Sequence, residues 1–253
     1  IFPHFFLFVY PLLKFAPFLY LANYGYNSAS LTPIVNEETI NGYYVYEMSV
    51  SLDEVSNALD GLRSDSQKIV YVKKQTDSNN MTFTIPENVA KELVNNRAKF
   101  ILDTDYYKVE LDFSSYSGSG DVVINTSDFT MTSDTYAKPL FISIKCDGNE
   151  AANYFSNAIK CVIHYDSEKT RTIKDLRSIN TFNSSGVMFN STASTSEKGL
   201  IFQYTGGDTY YVKNNAYSYK GITDSYSRTA AELIASKGMV MAAKKQIPLR
   251  LSE

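Results

Sequence analysis

The chain has 253 residues, of which 44% are hydrophobic and 20% are charged, a composition typical of a globular protein with a sizeable core. Its net charge of −3 leaves no basic excess to neutralise phosphates, which disfavours nucleic-acid binding. Serine, threonine, asparagine and tyrosine crowd the middle of the chain, as they do in many β-rich extracellular proteins.

The first 26 residues are strongly apolar and contain a single lysine, in the run IFPHFFLFVYPLLKFAPFLYLANYGY. A run this apolar is able to enter a bilayer. However, Pro3, Pro11 and Pro17 interrupt it, and the basic start and cleavage site of a signal peptide are not evident. An altered export signal or membrane anchor, a non-native start and a buried apolar element all remain open. The run favours export, and residues 1–35 are treated as a leader outside the fold prediction.

Residues 40–135 predict an α+β module. YYVYEMSV, KIVYVKK and MTFTIP alternate as strands do, and KFILDT with YYKVELDF predicts a hairpin. LDEVSNALDGL places four apolar side chains on one helical face and two carboxylates in the first turn. ENVAKELVNN predicts a second helix that stops at Asn95–Asn96. SSYSGSG then predicts a flexible break.

Residues 137–214 predict a small antiparallel β-sandwich-like module, because helical periodicity is nearly absent and turn signals recur at short intervals. The candidate strands are LFISIKC, AIKCVIHYD, KTRTIK, GVMFNST, GLIFQYT and TYYVKN. SYSRTAAELIASKGMV then predicts a helix that begins at Ser225 and ends at Gly238. The predicted fold class is therefore α+β, with a C-terminal helix in residues 217–253.

The order of these parts resembles that of Gram-positive surface proteins. TIPENVAKELVNNRAKFILDTDYYKVEL is similar to a strand, short helix and two-strand segment common among them. CVIHYDSEKT, GVMFNST and YYVKN resemble the β module that often follows, and the C-terminal helix resembles the start of an S-layer homology domain. Tyr226 stands where that family usually has tryptophan. The matching positions that follow are Ala230, Glu232, Ile234, Ala235, Lys237, Gly238, Met239 and Val240.

The resemblance implies a non-catalytic cell-surface protein, tethered outside the cell to cell-wall polysaccharide and neighbouring surface-protein domains. It implies no cofactor, no metal, and membrane contact only through the apolar leader. Tyr226, Lys237 and Arg250 are the residues expected to contact the wall. MAAKKQIPLRLSE replaces the Thr-Arg-Ala-Glu helix with which such repeats continue, so this chain is expected to carry a partial repeat and to bind weakly or not at all.

The sequence offers few catalytic candidates. Of the two histidines, His4 lies in the leader and His164 lies inside a predicted strand, where a structural role is expected. Asp103 and Asp105 are candidate Ca²⁺ ligands, but a hairpin turn is favoured because the third carboxylate and the glycine of a calcium loop are missing. The alternative function is an accessory part of an extracellular carbohydrate-active enzyme, whose two carboxyls are far apart in the chain.

Two further sets of residues leave alternatives open. Cys146 and Cys161 are either small core residues or, if their strands are antiparallel neighbours, a disulfide pair. Seven tyrosines in strands are either a stacking surface for sugars or peptides, or half core and half ordinary surface. They are Tyr43, Tyr44, Tyr46, Tyr106, Tyr107, Tyr210 and Tyr211.

Overall fold

Two mixed β-sheets face each other across one hydrophobic core in the computed structural model, which describes residues 27–40, 43–74, 80–171 and 178–214. Contacts between side chains of opposite sheets define the sandwich. The rings of Phe83 and Phe100 lie 5.6 Å apart, and the hydroxyl groups of Tyr107 and Thr126 are 3.3 Å apart. Half of the described residues are in strands and 16% are in helices.

The first sheet has seven strands in the order β1-β4-β6-β7-β11-β14-β13. β1 is parallel to β4 and β4 to β6, whereas the other neighbours are antiparallel. The strands are β1 (Asn27–Leu31), β4 (Lys68–Lys74), β6 (Lys99–Thr104), β7 (Tyr107–Asp112), β11 (Lys160–His164), β13 (Ser191–Ser194) and β14 (Gly199–Gln203).

The second sheet has eight strands, seven of them in the order β12-β15-β9-β8-β5-β3-β2, with the two-residue β10 paired to β9. Only β3 and β5 are parallel. The strands are β2 (Ile34–Ile40), β3 (Tyr43–Ser49), β5 (Met81–Ile85), β8 (Val122–Asp128), β9 (Leu140–Cys146), β10 (Asn149–Glu150), β12 (Ile179–Phe182) and β15 (Asp208–Asn214).

Two helices carry the chain from the second sheet to the first. α1 (Leu52–Asp60) connects β3 to β4, and α2 (Glu87–Asn95) connects β5 to β6; we call them the crossover helices. The Ser51 hydroxyl caps α1 by accepting from the Glu54 amide at 3.3 Å. Pro86 precedes α2 and has no capping side chain, so Asp121 supplies the acceptor for the Glu87 amide at 2.8 Å. A third helix, α3 (Ser167–Thr170), is a single turn.

The C-terminal ends of the crossover helices meet at one ammonium group. Neither helix has a basic residue in its last turn. Lys68, the first residue of β4, donates to the Leu59 carbonyl at 2.8 Å and to Asn96 Oδ1 at 2.9 Å. Because a helix C-terminus carries partial negative charge, this one cation stabilises both helices.

α2 ends in a Schellman motif. The Ala98 amide donates to the Leu93 carbonyl and the Arg97 amide donates to the Val94 carbonyl, both at 2.9 Å. Arg97 adopts the left-handed conformation that this motif requires, with φ of 49°. The predicted stop at Asn95–Asn96 is confirmed, although the residue after it is not the glycine that this conformation favours.

Strand alternation builds the core. Val70 and Val72 of β4 are fully buried while Tyr71 points outward, and Phe100 and Leu102 of β6 repeat the pattern. Every second side chain of each strand therefore points between the sheets and fills the core.

The predicted fold class is wrong. An α+β module followed by a separate β-sandwich module, with a C-terminal helix, is not what the described residues form. β7 pairs with β11, and β9 joins β8 to β15, so strands from both predicted modules lie side by side in both sheets. Among the described residues, the crossover helices connect one sheet to the other and strands outnumber helices, which makes this part of the chain a mainly β sandwich.

Several local predictions are confirmed and others are wrong. The crossover helices and strands β3 to β7, β9, β11, β14 and β15 lie where the patterns predict them. The first two residues of KTRTIK belong to α3 and not to a strand, and residues 172–174 lie outside the described residues. The strand predicted in GVMFNST begins only at Ser191. Residues 1–26 of the leader and the C-terminal helix lie outside the described residues, whereas residues 27–35, which were assigned to the leader, contain β1 and the start of β2.

Candidate functional site

A cluster of polar side chains lies on the outer face of the seven-stranded sheet. Tyr71 of β4, Asp103 of β6, Lys108 of β7 and His164 of β11 alternate with buried residues and therefore point away from the core. Asp103 and Lys108 are direct cross-strand partners. Glu197 reaches the same cluster from the turn between β13 and β14. We call these five residues the outer-face cluster.

His164 links two acceptors. Its Nδ1 lies 2.8 Å from the Glu197 carbonyl oxygen, and its Nε2 lies 3.3 Å from Asp103 Oδ1. Because a carbonyl only accepts, Nδ1 is the nitrogen that donates to Glu197. The Tyr71 hydroxyl donates to the other oxygen of Asp103. Lys108 forms an ion pair with the Glu197 carboxylate.

The cluster keeps Asp103 ionised. Burial raises the pKa of Asp103, but hydrogen bonds from His164 and Tyr71, together with the charges of His164 and Lys108, lower it further than burial raises it. The pKa of Asp103 therefore lies below its ordinary value. Burial, followed by the hydrogen bond to Asp103, raises the pKa of Tyr71, so this hydroxyl stays protonated and remains a donor.

The arrangement suits an ion-paired network better than proton transfer. Both His164 nitrogens face protein acceptors, and each oxygen of Asp103 has a protein donor. A general base needs a nitrogen or oxygen within reach of a substrate proton. The structural role expected for His164 agrees with this geometry, because the histidine connects two strands, β11 and β6, and the turn between β13 and β14.

Metal binding has no support in the described ranges. They contain no group of three or more histidine, cysteine, aspartate or glutamate side chains that could hold a metal ion. The carboxylate of Asp103 is bonded within the outer-face cluster, and Asp105 is exposed in the turn that follows β6. The hairpin expected across these two residues is present between β6 and β7.

A small groove lies between α2 and the loop 116–120, with a volume of about 270 Å³. Glu87, Lys91, Tyr116 and the backbone of this loop line it. The loop is packed and is not the break that the sequence predicted. A Cβ on Gly118 would lie 2.7 Å from Cys146 Sγ and from the Tyr116 ring, so glycine is required by this close approach.

The two cysteines are both buried and both free. Cys146 belongs to β9 of the eight-stranded sheet and Cys161 to β11 of the seven-stranded sheet, so their strands are not neighbours. The strands are therefore not the antiparallel neighbours that a disulfide required, and the alternative in which both cysteines are small core residues is confirmed. Burial raises the pKa of the Cys161 thiol, which keeps it protonated and unreactive.

The strand tyrosines divide between core and surface. Tyr107 and Tyr210 are fully buried, while their neighbours Tyr106 and Tyr211 are half-buried. In β3, Tyr46 is buried and Tyr44 is 50% exposed. In the pairs Tyr106–Tyr107 and Tyr210–Tyr211 this division matches the plainer of the two interpretations, in which one member fills the core; the side chain of Tyr43 lies outside the described residues.

The residues expected to contact the cell wall cannot be placed. Tyr226, Lys237 and Arg250 lie outside the described residues, as does His4. Tyr71, Lys108 and Glu197 were not predicted from the sequence. The outward positions of Tyr71 and Lys108 in alternating strands were readable, but Glu197 lies in a turn, and the pairing of β6, β7 and β11 that brings the cluster together was not readable.

No helix within the described ranges is both long and apolar enough to cross a membrane. Comparisons with protein-family models, with curated proteins and with solved structures find no match for this chain.

Proposed function

We propose that this chain is a non-catalytic module of a bacterial cell-surface protein, located outside the cell and tethered to wall polysaccharide through its C-terminal segment. The observation that supports a non-catalytic role is that the partly buried carboxylates pair with neighbouring cations and are held ionised. The tether rests on the resemblance of residues 225–240 to the start of an S-layer homology domain.

Glu110 illustrates how these carboxylates are used. It lies 2.7 Å from the Lys99 ammonium and 3.3 Å from that of Lys160. Burial raises the pKa of Glu110, but hydrogen bonds and charges from Lys99 and Lys160 lower it further, so it stays below the ordinary value. A glycosidase acid needs the opposite shift, because it has to hold a proton near neutral pH.

Asp134 follows the same rule elsewhere on the molecule. Its carboxylate pairs with Lys213 at 3.1 Å. A hydrogen bond from Thr132 is the largest influence and lowers its pKa; burial opposes this, and Lys213 lowers the pKa again. Together with Asp103, these groups support a surface built of ion pairs rather than an acid and base.

An activity assay tests the non-catalytic proposal against the carbohydrate-active alternative. The full chain is incubated with soluble cell-wall and plant polysaccharides, and new reducing ends are measured. We expect no release above the buffer blank. The carbohydrate-active alternative would be supported if reducing ends are released, if Asp103→Asn or Glu110→Gln abolishes this release, and if the buried-thiol variant Cys161→Ala retains it.

A sedimentation assay on purified sacculi tests the tether. Lys237 and Arg250 are expected to give weak attraction that salt screens within about 8–10 Å. We expect slight retention at low salt, loss of retention at high salt, and a further decrease in the Lys237→Ala/Arg250→Ala double variant. Equal retention on sacculi stripped of their secondary polysaccharide would contradict the tether.

A further inference from the structure

β2 is an edge strand of the eight-stranded sheet. It pairs with β3 over its whole length, and no other strand among the described residues pairs with its outer side. Side chains along it are open to solvent: Asn36, Glu37, Glu38 and Thr39 are exposed, and Ile34 is 49% exposed. An open edge of this length presents unpaired backbone groups to another chain.

The backbone groups that face outward follow from strand geometry. The Tyr46 amide donates to the Asn80 carbonyl at 3.0 Å, on the β5 side of β3. Because successive residues direct their backbone groups to opposite sides, Val45 and Glu47 face β2.

The partners of these two residues are Glu38 and Asn36, which therefore use their amides within the sheet. The intervening residues Val35, Glu37 and Thr39 direct their N–H and C=O groups away from it. The outer edge of β2 thus offers three amides and three carbonyls in a row.

Negative charge is concentrated at this edge. Glu37, Glu38 and the neighbouring Glu47 are all exposed, and no ion pair within the described ranges includes any of the three. This contrasts with Glu110 and Glu197, whose carboxylates are paired with lysines. Glu37 projects from one face of the strand and Glu38 from the other, so both faces at the edge are acidic.

We propose that the outer edge of β2 is the docking site for an extended, lysine-rich segment of a partner protein, which adds to the sheet as a further strand. Main-chain hydrogen bonds to Val35, Glu37 and Thr39 supply the affinity, and lysines opposite Glu37 and Glu38 supply the selectivity. A second copy of this chain is disfavoured at the same edge, because pairing β2 with itself places like charges together.

Amide hydrogen exchange in the full chain, measured by NMR, tests the proposal. Exchange is compared with and without a capped synthetic peptide that alternates lysine with valine. We expect exchange of the Val35, Glu37 and Thr39 amides to slow at least about tenfold, because these amides gain acceptors. Asn36 and Glu38 serve as internal controls, since their amides are already bonded to β3. Equal slowing at all five amides, or at none, would overturn the proposal.

Variants separate the backbone from the charge. Glu37→Pro removes one outward N–H without removing a bond to β3, and we expect it to abolish peptide protection while the circular dichroism spectrum is unchanged. Glu37→Gln/Glu38→Gln keeps the backbone and is expected to weaken peptide binding about tenfold at low salt. If a peptide with glutamate in place of lysine binds equally well, or if the chain alone forms dimers that protect the same amides, the charge-selected docking edge is wrong.

Discussion

Replacement of Lys68 by methionine tests whether one ammonium group stabilises the ends of both crossover helices. Methionine keeps much of the side-chain volume and removes the charge and the donors. The Leu59 carbonyl retains a partner in the Leu62 amide, at 3.2 Å, so no backbone group is left unpaired. The variant therefore measures the interaction of the charge with the two helix ends and with Asn96.

The magnitude follows from the geometry. A cation near a helix C-terminus contributes about 0.3–1 kcal/mol at an exposed site and up to about 2 kcal/mol in a partly buried one. Lys68 is half-buried and contacts both helices, at 2.8 and 2.9 Å. We expect Lys68→Met to lower the free energy of unfolding by about 2 kcal/mol, and Tm by about 4–8 °C for a chain of this size.

Urea unfolding followed by circular dichroism measures the change. The matched control is Lys91→Met, because the ion pair of Lys91 with Glu87 is equally short, at 2.7 Å, but exposed. That control is expected to cost less than about 0.5 kcal/mol. A Lys68→Met protein within 0.5 kcal/mol of the original, on the order of the control, would refute the shared-cation reasoning.

Three further variants test other features of the fold and the outer-face cluster. Arg97→Gly relieves a left-handed arginine and is expected to raise the free energy of unfolding by about 0.5–1 kcal/mol in urea titrations; a decrease would contradict this. Gly118→Ala brings a methyl group against Cys146 and is expected to lower Tm and to cost about 1–3 kcal/mol. Gly206→Ala should be neutral, because its added Cβ would lie 4.0 Å from its nearest neighbour, Glu150 Oε2. Asp103→Asn is expected to cost about 1–2 kcal/mol at pH 7, because hydrogen bonds to a charged group are lost. The folded pKa of Asp103 is lowered, so its contribution is complete above about pH 5 and is lost progressively as pH falls below about 4; a difference that does not shrink as pH falls below about 4 would contradict the assignment.

Local structure was predictable where one face of an element is buried. The period of two in KIVYVKK places Val70 and Val72 inward, and the helical period in LDEVSNALDGL buries Val55 and Leu59. Such patterns depend on neighbours within a few residues. β1, β2 and β12 were missed because they lie at sheet edges, where alternation is weak. β8 is a central strand with Val122 and Ile124 buried, and it was missed because its second half, NTSD, is polar.

The sheet in which a strand lies was not predictable from the same patterns. A strand, a helix and a strand are typical of a helix packed on one sheet, yet each crossover helix here joins two sheets. The outer-face cluster was not predictable for the same reason. His164 and Asp103 are 61 residues apart in the chain and meet only because β7 lies between their strands. Nothing local to either residue specifies the other.

The interleaving of early and late strands has a consequence for the order of folding during synthesis. β7 is flanked on one side by β11, and Glu110 contacts Lys160 some 50 residues later in the chain. During synthesis, the edge of β7 that pairs with β11 therefore stays unpaired until β11 has emerged from the ribosome, although the other edge of β7 pairs with β6. Pairings this distant in sequence slow folding, because loop closure has to precede the contacts that reward it. The first half of this protein is thus the part whose unpaired strand edge is open to a chaperone during synthesis.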